Sequence, residues 1–146
     1  MITISEEILL ELAEQLSSKY EKLAIIKMER NQNIPKLSQL AYLSVNLPLS
    51  KILININRRS WGSYSSEFIT DAVQGVNNYA ILIDYFELLM SPDLSLDIFD
   101  LFKQLSKNKV VIIIWRYPIE DNYLIYGKLG HSEYKKIELA DVTVIQ

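Results

Sequence analysis

Tyr79-Ala80-Ile81-Leu82-Ile83-Asp84-Tyr85-Phe86-Glu87-Leu88-Leu89-Met90 is the stretch whose reading decides the fold. Ala80 to Ile83 form a short unbroken apolar run, and Asp84 closes it. A run of that length bounded by polar residues suits a strand covered on both faces, as in a parallel sheet. An acid at the carboxyl end of such a strand points into the crevice where open α/β sheets bind their ligands.

Upstream of this strand, Ser5-Glu6-Glu7 is a helix start, a capping hydroxyl followed by acids in the first turn. Ile8, Leu9, Leu12, Leu16 and Tyr20 recur at helical spacing, which predicts an amphipathic helix over 5–20. Leu23-Ala24-Ile25-Ile26 reads as the first strand. The polar segment 27–35 follows, and Pro35 suits the first turn of a short helix over 36–40. Ala41 to Val45 read as a second strand, and Asn46 to Ser50 as a turn. Leu49, Ile52, Leu53 and Ile56 mark a helix ending at Arg58-Arg59, which Trp61-Gly62-Ser63 breaks. Phe68, Ile69, Ala72, Val73 and Val76 mark another.

Downstream, Ser91-Pro92-Asp93 is a turn, and Leu94, Ile98, Leu101, Phe102 and Leu105 predict a helix over 94–106. Lys109 to Trp115 contain the most apolar strand. Pro118 to Tyr126 read as a pair of short extended pieces, 131–137 as a short helix, and Val142 to Ile145 as a final strand. Strands that alternate with helices argue for an α/β domain: a mainly parallel five-stranded sheet with helices on both faces. No repeat, linker or low-complexity tract divides the 146 residues, so 1–146 reads as a single domain.

Hydrophobic residues are 49% and charged residues 23% of the chain, a globular balance. A net charge of −3 gives no electrostatic footprint for independent binding to nucleic acid or an acidic membrane. The chain has no cysteine and one histidine, His131, which excludes disulfides and thiolate metal sites. With no signal-peptide pattern, and no apolar run near the ~18 residues a membrane span needs, a cytoplasmic protein is expected.

Asp84 stands where P-loop NTPases hold the acid that positions Mg²⁺. The loop after the first strand should then cradle phosphates with the pattern G-x-x-x-x-G-K-[ST]. With Lys36 in the lysine slot, Arg30 and Pro35 occupy the glycine slots and Leu37 the hydroxyl slot. Proline has no N–H to offer an anion, and a left-handed backbone is costly without glycine. Arg30 and Lys36 are therefore a nucleotide-binding remnant at most. With Lys27 they could still draw an anion by charge alone.

Four segments resemble BrxF, the small P-loop protein of type 3 BREX phage-exclusion systems in bacteria. Asn46-Leu47-Pro48-Leu49-Ser50-Lys51-Ile52-Leu53 is similar to that family's N-L-x-L-S-x-x-L, and Ile83 to Leu89 to its L-D-x-x-E-x-L. Leu105-Ser106-Lys107-Asn108-Lys109, closed by Trp115, is similar to its L-S-R-N-R run with a terminal tryptophan. Gly130-His131-Ser132-Glu133-Tyr134 is similar to its G-H-P-E-Y, with Ser132 in place of proline. Order and spacing agree from about 41 to 137. The resemblance implies a three-layer P-loop NTPase-like fold and a role in phage defence. The family's glycine-rich loop is where this chain departs from it.

Several side chains are candidates for function. Asp84 could hold Mg²⁺ or be a hydrogen-bonding acid at the sheet edge, and Glu87 could activate a water as general base or cap the next segment. Arg58 and Arg59 could act in trans as arginine fingers, or simply complement a helix end. Trp115 and Arg116 end the fourth strand, where related NTPases place a residue that senses the γ-phosphate. Packing for Trp115 and pairing with an acid for Arg116 are the structural alternatives. His131, Glu133 and Tyr134 are candidates for a polar cluster or a hydrogen-bonded turn. Tyrosines at 117, 123 and 126 make 115–134 a candidate contact region.

Three functions are open on these grounds. The first is an accessory defence subunit that has lost hydrolysis and needs no cofactor, assembling with itself or with a large ATPase of the system. The second is an ATPase with an atypical loop that uses Lys36, Asp84 and Glu87 with ATP and Mg²⁺. The third is a regulator or inhibitor of nucleic-acid processing.

Overall fold

The computed structural model describes residues 4–146. Helix α1, Glu6–Leu16, is capped by Ser5, whose hydroxyl accepts from the Ile8 N–H at 3.3 Å. It stops before the expected end at Tyr20, whose side chain is 76% exposed and gains nothing from a further turn. The chain continues through β1, Leu23–Lys27; β2, Ala41–Ser44; α2, Asn46–Leu53; α3, Trp61–Gly75; and β3, Ala80–Asp84. After β3 come α4, Ile98–Leu105; β4, Val110–Trp115; β5, Ile119–Glu120; β6, Tyr123–Tyr126; β7, Lys135–Glu138; and β8, Thr143–Ile145.

The five strands expected from the apolar runs form one sheet in the order β2-β3-β4-β1-β8, parallel throughout. β3 and β4 are buried at every position, as two-sided coverage requires. On one face Leu9, Leu12, Ala13 and Leu16 of α1 pack with Ala24, Ile26, Leu82, Ile112 and Ile114. On the other, α2, α3 and α4 bring Leu49, Leu53, Ile69, Val73, Ile98 and Phe102 onto Ile25, Ile81, Ile83, Val111 and Ile113. Each such side chain withdrawn from water stabilises the fold by about 1.5–3 kcal/mol before the entropy of ordering is counted. A second, antiparallel sheet, β5-β6-β7, follows β4.

Several local expectations are corrected. No helix forms over 36–40: the connection from β1 to β2 is irregular, and its Ile34, Leu37 and Leu40 lie on the apolar cluster that α1 covers. Five residues make too costly a helix nucleus, and docking the apolar residues individually wins. The segment 46–50 is not a turn but the first part of α2; Pro48 is tolerated because first-turn N–H groups have no intrahelical partner. That helix ends at Leu53, so Arg58 and Arg59 lie in a 3₁₀ turn instead of closing it.

Trp61-Gly62-Ser63 does not break a helix but begins α3. The Trp61 indole N–H is shared between the carbonyls of Leu53 and Ile56, each at 3.0 Å, and fixes the entry angle. Gly62 is required there by close approach: a Cβ would sit 2.3 Å from the Leu94 carbonyl oxygen. The expected helix over 131–137 is instead a turn leading into β7, whose residues alternate half-buried and exposed against β6. Among the described residues no helix is long and apolar enough to cross a membrane.

Candidate functional site

Asp84 ends interior strand β3, at the carboxyl edge of the sheet, and is fully buried. Arg116 leaves the end of neighbouring β4 and reaches back to it. Its Nε donates to Asp84 Oδ1 at 3.0 Å and its Nη2 to Oδ2 at 2.9 Å, a bidentate pair. The Tyr42 hydroxyl donates to Oδ2 at 2.7 Å, and the Tyr85 N–H to Oδ1 at 2.9 Å. Asp84 thus takes four hydrogen bonds. The carboxylate holds Arg116 above the usual arginine range, with burial opposing. Burial first, then the bond to Asp84, pushes the Tyr42 hydroxyl far above the ordinary tyrosine value.

The remaining terminal nitrogen of Arg116, Nη1, donates to the carbonyls of Glu29, Arg30 and Gln32 at 2.8, 3.3 and 2.6 Å. These belong to the loop after β1, where a phosphate cradle is expected. A cradle for an anion turns backbone N–H groups inward. This loop turns three carbonyl oxygens inward, onto a guanidinium that belongs to the chain itself. The Tyr85 ring covers that guanidinium, 4.6 Å from centroid to Cζ. Tyr85 itself is held in the left-handed region at φ 46°, between its N–H bond to Asp84 and a 2.8 Å bond from the Asn46 N–H to its carbonyl.

The Asp84 charge is matched within the chain. Both carboxylate oxygens of Asp84 already face a fixed positive charge, and a divalent cation there would repel the guanidinium. Among the described residues no three of His, Asp and Glu converge as a metal site. The cations read as an anion remnant have other surroundings: Lys27 Nζ donates to the Met28 carbonyl at 3.3 Å, Arg30 lies 6.0 Å from the Tyr117 ring centroid, and Lys36 is exposed.

A second group of polar residues lies beside this one. Glu87, in the 3₁₀ turn after β3, accepts from Asn46 Nδ2 at 3.2 Å and from the Tyr117 hydroxyl. Asn46 Oδ1 takes the Leu88 N–H at 2.9 Å, so one side chain ties the start of α2 to the turn after β3. The expected capping role for Glu87 is corrected: its carboxylate holds two side chains, and Asn46 is what takes a backbone N–H of that turn. Burial and the Glu87 carboxylate push the Tyr117 hydroxyl far up. Glu133, exposed in the β6–β7 loop, borders the same region, a cleft of about 500 Å³ lined by α2, the 3₁₀ turn and β6. His131 and Tyr134 share a backbone turn, Tyr134 N–H to His131 carbonyl at 3.0 Å.

Trp115 is 1% exposed, and its ring meets Phe86, Phe99 and Tyr117; Tyr117 in turn meets Tyr126 with centroids 5.0 Å apart. Packing is therefore what the structure gives Trp115, and pairing with an acid what it gives Arg116. Arg58 pairs with Asp93 at 2.6 Å and lies over the Trp61 ring, while Arg59 is exposed. Neither arginine lies among the partners of Asp84.

Sequence reasoning missed Tyr42 and Asn46 as polar partners of the two acids. Strand register holds the signal: Ser44 pairs with Asp84, so residues around the end of β2 must meet those around the end of β3. No protein-family model, curated protein or solved structure matches the chain.

Proposed function

We propose that this chain is a non-hydrolysing accessory subunit of a bacterial phage-exclusion assembly of the BREX type. It would act in the cytoplasm as a degenerate P-loop NTPase-like scaffold that docks on a large ATPase of the system or on copies of itself. One observation carries the loss of hydrolysis: Arg116 spans from the Asp84 carboxylate to three inward-turned carbonyls of the loop after β1. An ATP triphosphate would have to displace that guanidinium and invert the loop, breaking charge-assisted bonds, of which the two to Asp84 are buried. The similarity of four ordered segments to the BrxF family supports the pathway, and the parallel sheet with an acid at the tip of an interior strand is compatible with its fold.

Calorimetric titration with MgATP tests the reading. The expected result is no saturable heat below about 1 mM, the range of negligible specific affinity. Micromolar binding abolished by Asp84→Ala would overturn it in favour of the ATPase alternative. Co-expression with the system's large ATPase should give a stoichiometric complex that survives Lys36→Ala.

A further inference from the structure

Two clefts of similar size open at this end of the molecule: one of about 510 Å³ between the loop after β1, Tyr42, Tyr85 and Arg116, and one of about 500 Å³ at Glu87 and Glu133, which carries the inference. The latter opens at the carboxyl end of the parallel sheet, where the chain emerges from β2, β3 and β4 in turn: Asn46 and Leu47 begin α2, Glu87 to Ser91 follow β3, and Tyr126 and Glu133 belong to the hairpin beyond β4. Leu47, Leu88, Met90 and the Tyr126 ring supply apolar wall. Glu87 is held in one orientation by Asn46 and Tyr117, one donor on each oxygen, and a carboxylate oxygen can accept a second. Glu87, Glu133 and Tyr126 line the same cleft, and burial, then the charges of Glu133 and Glu87, raise the Tyr126 hydroxyl. The outer face of α2 continues the apolar wall onto the surface: Leu47 is 65% exposed and Ile54, one residue past the helix, 80%. Apolar walls, an aromatic ring and two carboxylates complement a cation carried on an apolar stem.

We propose that this cleft is the docking site for an arginine of a partner protein, presented on a segment with leucine-like residues beside it that cover Leu47 and Ile54. The inference rests on the assembly reading and specifies its surface. An arginine anchor flanked by apolar contacts is the composition that concentrates binding energy at protein interfaces.

The test titrates the isotopically labelled chain with acetyl-Leu-Leu-Arg-Leu-Leu-amide, followed by amide chemical shifts, with citrulline replacing arginine as the uncharged control. Saturable shifts are expected at 46–50, 87–91 and 126–133. Affinity should fall at least about fivefold for the citrulline peptide and for Glu133→Gln, as loss of one partner of a charged contact implies. Glu133 is exposed, so that variant stays folded; Glu87→Gln is the second variant and should behave alike. Equal binding of both peptides, shifts scattered elsewhere, or no binding would overturn the proposal. So would self-association lost on Arg59→Glu and on Glu133→Gln alike, since a second copy would then be the occupant. Failure here leaves the MgATP titration unaffected; micromolar ATP binding would sink the scaffold reading whatever the peptide does.

Discussion

Two acids three residues apart, Asp84 and Glu87, face opposite circumstances. Asp84 is fully buried, its oxygens taken by Arg116, Tyr42 and the Tyr85 amide. Glu87 is half-buried, fixed by two donors, and borders an open cleft. The difference arises from where the strands end. Asp84 is still within β3, so its side chain meets what β2 and β4 deliver beside it. Glu87 lies a turn further out, beyond the sheet. The comparison teaches that the Asp84 charge is matched by a guanidinium of the same chain, while the Glu87 carboxylate is held only by neutral donors.

The sharpest way to break this contrast is to remove Asp84. Asp84→Ala leaves a buried guanidinium without its counter-charge and should cost about 3–5 kcal/mol, read as a fall in urea midpoint. Glu133→Gln on the open side should change stability by no more than about 0.5 kcal/mol. Comparable losses in the two variants would erase the distinction. Replacing the pair together, Asp84→Leu with Arg116→Met, should recover much of the loss, because neither charge is then left buried alone.

Tyr42→Phe is the next largest effect. It removes one bond to Asp84 and should cost about 1 kcal/mol, since Arg116 and the Tyr85 amide remain. Alkaline titration separates the regions further. Tyr42 and Tyr117, raised by burial and by the carboxylates they donate to, should stay protonated beyond the ordinary tyrosine range, followed by absorbance at 295 nm. Because their folded values lie above the unfolded ones, their stabilisation is complete below about pH 10 and is lost as pH rises beyond it. Ionisation of all nine tyrosines in one step near pH 10, without unfolding, would contradict these contacts.

The smallest effect concerns the far end of the loop after β1. Glu6 accepts from the Ser38 and Gln39 amides at 2.6 and 3.1 Å, and these bonds, Ser38's first, hold its carboxyl below the ordinary 4.5. Its folded value is depressed, so the tether is present above about pH 4.5 and is lost as pH falls through the folded value. Amide exchange at Ser38 and Gln39 should accelerate there, while Arg116 continues to hold 29–32. Release of both parts at one pH would show a single unit.

The frame of the site was legible because β1, β3 and β4 are unbroken apolar runs, and two-sided burial leaves no other solution for them. That Arg116 seeks an acid was legible too; which acid was not, because the answer depends on β4 lying beside β3. Pro48 and Trp61 misled for a shared reason. Each is read locally as a breaker, yet the first turn of a helix tolerates proline, and the Trp61 indole finds carbonyls from the preceding turn. The segment 36–40 misled in the opposite way, its proline suggesting a helix start while its apolar residues preferred the cluster under α1. The inward carbonyls of the loop leave no trace in composition; only the missing glycines hint that its N–H groups are not gathered.

The Nε–H resonance of Arg116 tests its pairing with Asp84 most directly. It should appear as a distinct signal that exchanges slowly with water and does not move when MgATP is added to about 5 mM, a concentration that would reveal even millimolar binding. A signal lost to fast exchange in the free protein, or one that shifts saturably with MgATP, would mean that the guanidinium does not close the loop and that the cradle still admits a triphosphate.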